Sequence, residues 1–69
     1  MSGGVYKMTE IVGTSPKSFA EATQEAVKRA SKTIRNLGWF EVTDQRGLIK
    51  DGQVAEFQVT IKVGFKLED

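Results

Sequence analysis

The chain has 69 residues, enough for one domain, and a core that small needs support from disulfides, a metal or association. It holds no Cys and no His, which removes disulfides, thiolate sites and the commonest transition-metal ligand, so association is the expected support. Ten Lys and Arg are interspersed with nine Asp and Glu, so no basic face for nucleic acid is expected. The opening MSGGVYK lacks the apolar region of a signal peptide and no run is long enough to span a membrane, so a cytoplasmic protein is expected.

Residues 1–4 read as a flexible start to one domain spanning residues 1–69. Residues 5–14, VYKMTEIVGT, are rich in β-branched and aromatic residues and read as a strand. Its alternation is poor: Lys7 and Thr9 share one face and Glu10 interrupts the other. Thr14-Ser15-Pro16 offers an N-cap hydroxyl before a proline that suits the first helical position, and Ser18 with Glu21 forms an alternative capping box.

Phe19, Ala22, Thr23, Ala26, Val27, Ala30, Ile34 and Leu37 then recur at three- and four-residue spacing, one apolar stripe of an amphipathic helix of about 20 residues. Acidic residues lead it and basic ones follow, as the helix dipole favours. Asn36-Leu37-Gly38 closes it, with Gly38 as the left-handed cap.

A second strand covers residues 39–50, with Gly47 marking a bulge or bend, and Asp51-Gly52 supplies a tight turn. Residues 53–67 make the third strand, where Ala55, Phe57, Val59, Ile61, Val63, Phe65 and Leu67 alternate with Glu56, Gln58, Thr60, Lys62, Gly64 and Lys66. The helix returns the chain along the first strand, so the second runs parallel to the first and the hairpin reverses the third. Setting the third between the others makes every neighbour antiparallel. The fold class is α+β: β-α-β-β, strand order 1-3-2, one long helix on the apolar face and the opposite face uncovered.

Trp39 and Phe40 point to opposite faces. Phe40 and Val42 continue the helix-facing set, which places Trp39 on the uncovered face with Glu41, Thr43 and Gln45, beside Glu56, Gln58, Thr60 and Lys62 of the third strand. A lone Trp there calls for a cover. Two covers fit: a neighbouring subunit, for which Trp is a common interface residue, or a planar heterocycle stacked on the indole, whose edge the donor and acceptor of Gln58 can meet.

The runs NLGWFEVTDQRG (residues 36–47) and DGQVAEFQVTIKVGF (51–65), with VYKMTEIVGTS (5–15) before them, resemble the dodecin family over nearly the whole chain. The resemblance implies a hollow homododecamer that binds flavins in pairs between symmetry-related tryptophans at subunit interfaces, storing, buffering and photoprotectively quenching them. It implies that Trp39 stacks on the flavin and Gln58 hydrogen-bonds the isoalloxazine. Gln45 and Arg46 would contact the ring or its side chain, and Lys66 stands where some members carry a second basic residue for phosphate. Arg46 tilts the implied cofactor toward FMN over riboflavin, although a Lys at 66 is a weaker bidentate partner than Arg. Asp44 matches an acidic position that some members place near ions on the symmetry axes.

Catalysis is not expected. There is neither His nor Cys, the hydroxyls lack a neighbouring base, and Glu10, Glu41 and Glu56 read as solvated or interfacial strand residues. The alternative to a flavin carrier is a small self-assembling structural or protein-interaction module without a cofactor.

Overall fold

A computed structural model describes residues 3–68. Met1 and Ser2 of the expected flexible start, and Asp69, lie outside the described residues, and residues 3–5 enter the first strand without regular structure. The elements are β1 (Tyr6–Ser15), α1 (Phe19–Ala30), β2 (Leu37–Lys50) and β3 (Gln53–Lys66). They form one sheet of order β1-β3-β2 in which both pairings are antiparallel, the expected β-α-β-β topology.

The core lies between α1 and the alternating face of β3. Val59, Ile61 and Val63 are buried, each contributing ~1.5–3 kcal/mol by leaving water. Against them α1 sets Ala22 and Ala26, with Ile11, Phe19, Val27, Ile34 and Leu37 packed around the rim. The small side chains bring the helix close to the sheet. Gly13 permits the approach: a Cβ there would run into the Ala22 carbonyl oxygen and would sit 2.7 Å from the Ala26 Cβ.

α1 begins at the second of the two caps that the sequence offers, and its other end differs from the expectation. Ser18, not the Thr14-Ser15-Pro16 segment, is the N-cap, its Oγ accepting from the Glu21 N–H at 3.0 Å, a cap that contributes about 1 kcal/mol. Ser15 ends β1 instead, where it is buried. Its hydroxyl donates to the Glu21 carboxylate at 2.7 Å and accepts from the Lys17 N–H at 2.9 Å, so the carboxylate that a capping box would turn to Ser18 ties strand to helix.

At the other end the helix stops after 12 residues, about 18 Å rather than 30 Å. The Ser31 hydroxyl donates to the Lys28 carbonyl, and a turn follows before β2. Asn36, with φ 65°, takes the left-handed conformation assigned to Gly38, and its side-chain amide donates to the Lys66 carbonyl and the Glu68 carboxylate. Gly38 lies within β2, at a bulge. Ile34 and Leu37 keep the helical spacing because they still reach the core, although from a turn and a strand.

The hairpin turn matches expectation. Asp51 (φ 54°) and Gly52 (φ 75°) are both left-handed, as the tight turn of a twisted hairpin requires. Gly47, however, pairs in register with Phe57, and the shifts in the β2–β3 ladder fall at Leu37/Trp39, Val42/Asp44 and Leu48/Ile49. At the second shift Thr43 is the extra residue, and its hydroxyl donates to the Thr60 carbonyl at 3.2 Å.

The helix covers only part of the apolar face. It packs on β1 and β3. Phe40 and Val42 lie opposite Val63 and Ile61, yet remain 49% and 40% exposed. Beyond the end of β1 the β2–β3 hairpin continues alone, carrying exposed Leu48, Ile49 and Val54.

The seating of α1 predicts the effect of one methyl group. Gly13→Ala should lower stability by about 2 kcal/mol through overpacking, read as a lower thermal midpoint. An unchanged midpoint would contradict the close approach of α1 to β1.

Candidate functional site

The face of the sheet away from α1 carries Tyr6, Met8, Glu10, Val12 and Thr14 from β1. From β3 it carries Glu56, Gln58, Thr60, Lys62, Gly64 and Lys66. Trp39 stands on this face, opposite Gly64 and 44% exposed. Its indole lies over Gly64, where an added Cβ would overlap the six-membered ring of the indole. Tyr6 of β1 meets it, with ring centroids 5.3 Å apart and planes tilted by 58°. A bare backbone beneath and a neighbouring aromatic hold the indole low across the sheet, with nearly half of Trp39 left exposed. The exposed Tyr6, Met8 and Val12 make this face more apolar than the polar setting expected around Trp39.

The bulge at Thr43 redistributes the other site residues. Before it Glu41 lies opposite Lys62 on the Trp39 face, as expected. After it the alternation shifts by one: Asp44 pairs with Thr60 and Arg46 with Gln58, both on the outer face, whereas Gln45 pairs with Val59 on the helix side. Gln45 is therefore separated from Trp39 and Gln58 by the sheet itself. The same shift brings Arg46 onto Gln58: its Nε donates to Gln58 Oε1 at 2.7 Å, and Gln58 Nε2 donates to Glu56 Oε2 at 2.9 Å.

Two groups result. Trp39, Tyr6, Gly64 and Lys66 lie at one end of β3, whereas Arg46, Gln58 and Glu56 lie toward the hairpin. Gly64 and Gln58 are six residues apart on one strand, ~20 Å. No tricyclic ring spans that gap, so one copy of the chain cannot offer Trp39 and Gln58 to the same ring. Lys66 and Arg46 are separated further still. Asp44 is exposed, and among the described residues no group of three or more Asp or Glu side chains could hold a metal ion. No helix among the described residues is long and apolar enough to cross a membrane.

Sequence reasoning placed Glu56 on this face without its tie to Gln58, and gave Tyr6 and Gly64 no part in the site. Gly64 carried a usable signal, since a glycine inside an otherwise regular strand marks a close approach of another group. The partnership of Tyr6 with Trp39 depends on β1 and β2 flanking the same central strand, and local pattern does not display it.

The family model described as Dodecin matches residues 5–68. The chain belongs to the dodecin family. A dodecin of Streptomyces coelicolor has a solved structure with TM-score 0.95 and 56% identity, the match covering 100% of this chain and 99% of that one. The Dodecin of Thermus thermophilus is 51% identical over 67 residues, 97% of each chain. Solved variants of that dodecin replace a tryptophan by phenylalanine and, separately, two arginines by alanine. A calcium dodecin of Mycobacterium tuberculosis, described as calcium-chelating, is more distant, at 32% identity and TM-score 0.81, the match covering 93% of this chain and 91% of that one.

The bed under the indole is open to test without any ligand. Gly64→Ala should lift Trp39 from the sheet, shifting its emission maximum and near-ultraviolet circular dichroism while the far-ultraviolet spectrum stays that of the parent. An unaltered Trp39 spectrum would show that the indole does not rest on Gly64.

Proposed function

We propose that this chain is a non-enzymatic flavin carrier, a cytoplasmic subunit of a hollow homododecamer that stores and buffers flavin and quenches its excited state. The observation that carries this reading is Trp39, half-exposed on the outer face with its indole resting on Gly64. Membership of the dodecin family supports a flavin as the planar group that covers it. Excited isoalloxazine in van der Waals contact with an electron-rich indole loses its energy before it can react, which supports protection rather than turnover.

The separation of Trp39 from Gln58 supports a shared site. A flavin stacked on Trp39 of one copy would take its ring-edge hydrogen bonds from Gln58 of another. Arg46 binds Gln58 through Nε alone, which leaves its terminal nitrogens without a hydrogen bond among the described residues and available to a phosphate. This favours FMN slightly over riboflavin. Lys66, about 26 Å along β3 from the Gln58 position, would serve a phosphate only from a different copy. Gln45, on the helix side, has no place at the ring in this reading, and Asp44 would meet an ion only together with its symmetry copies.

Assembly has its own support. Phe40 and Val42 beside the helix, and Leu48, Ile49 and Val54 on the hairpin, are exposed apolar groups of the kind that association buries. These residues serve equally a self-assembling module without a cofactor, so ligand binding decides between the two readings.

Riboflavin added at micromolar protein should lose most of its fluorescence, and the native particle should have the mass of twelve chains. Full retained fluorescence would favour the cofactor-free module. Trp39→Ala should weaken riboflavin binding at least about tenfold, the equivalent of ~1.4 kcal/mol, with the particle mass unchanged. Equal affinity would return Trp39 to a purely interfacial role. Arg46→Ala should reduce FMN affinity more than riboflavin affinity, and equal losses in titrations of the two would remove the phosphate contact.

A further inference from the structure

Gln58 has two donor hydrogens and two acceptor lone pairs, and its neighbours occupy one of each. Arg46 Nε donates to Oε1 at 2.7 Å and Glu56 Oε2 accepts from Nε2 at 2.9 Å. Arg46 reaches Gln58 from the facing position on β2, and Glu56 is the next outward residue on β3. A side-chain amide held by one such contact can turn over and exchange its ends. Held by a cation at the oxygen and a carboxylate at the nitrogen, it has one allowed orientation, because the reverse would set N–H against guanidinium and carbonyl against carboxylate.

We propose that Glu56 is a positioning residue for ligand recognition: it fixes the donor end of the Gln58 amide, leaving one N–H and one carbonyl lone pair in a set order for a ligand edge of matching polarity. An imide has such an edge, with its N–H between two carbonyls. An amide of fixed orientation meets that edge through the imide N–H and the carbonyl on its own N–H side without first having to turn over, so Glu56 contributes to affinity for such an edge without touching the ligand. It also balances the Arg46 charge through the shared amide, so that the three side chains form one chain of hydrogen bonds on the sheet surface.

The ligand part of this inference rests on the flavin reading of the site; the orientation of the amide does not. Two measurements separate them, each on the assembled protein as parent, Glu56→Ala and Glu56→Gln, the last retaining an acceptor oxygen without the charge. In ligand-free ¹⁵N-labelled protein, the Gln58 side-chain amide signals should move in Glu56→Ala and stay near the parent positions in Glu56→Gln. In riboflavin titrations Glu56→Ala should bind about tenfold more weakly and Glu56→Gln within about twofold of the parent. In a Gln58→Ala background, Glu56→Ala should cost nothing more, since its effect passes through the amide. Unmoved amide signals in Glu56→Ala would overturn the proposal. So would equal riboflavin losses in both variants, or a loss that persists without Gln58. A parent protein that takes up no riboflavin would refute the flavin reading, while the amide signals would still decide the role of Glu56.

Discussion

Strand geometry turns successive side chains to opposite faces, and β3, at the centre of the sheet, is bound by that rule on both sides at once. Val59, Ile61 and Val63 build the core under α1, and the residues between them define the outer face on which Gln58 and Gly64 stand. The strand cannot slip by one residue without exposing the core and burying the polar set. Every position of functional interest is therefore fixed by its pairing with β3. Trp39 rests on Gly64, Arg46 faces Gln58, and Tyr6 closes on the indole from the other neighbouring strand.

Within that frame the bulge at Thr43 decides which β2 residues share the outer face. One extra residue, held by its hydroxyl on the Thr60 carbonyl, exchanges the faces of everything that follows it up to the next shift. Arg46 reaches Gln58 through this exchange, and Gln45 is sent to the other side. The chain of hydrogen bonds from Arg46 through Gln58 to Glu56 is a product of the bulge as much as of the residues themselves.

The short helix has a parallel effect on assembly. Twelve residues covering β1 and β3 leave Phe40 and Val42 half-exposed and the β2–β3 hairpin unsupported, with Ile49 78% exposed. A small core, uncovered apolar groups and the ~20 Å between the Trp39 and Gln58 positions along β3 would all be answered by the proposed assembly, in which copies of the chain bury one another's surfaces and bring an indole and an amide together.

Much of this was legible in the residues. The alternation of β3 is nearly unbroken, the Asp51-Gly52 turn has the left-handed residues that a tight hairpin requires, and the alanine stripe marks the buried face of α1. Together they determined the β-α-β-β topology, the strand order and the exposure of Trp39, because each is a local pattern with one compatible periodicity. The resemblance of its motifs named the family before any geometry was known. The end of the helix, the bulge at Thr43, the indole's seat between Gly64 and Tyr6 and the distance from Trp39 to Gln58 were decided by the tertiary structure. A bulge depends on how two strands distant in sequence twist against each other, and a left-handed residue can be Asn36 as readily as the nearby Gly38. Side-chain contacts between three strands arise only when all three are paired.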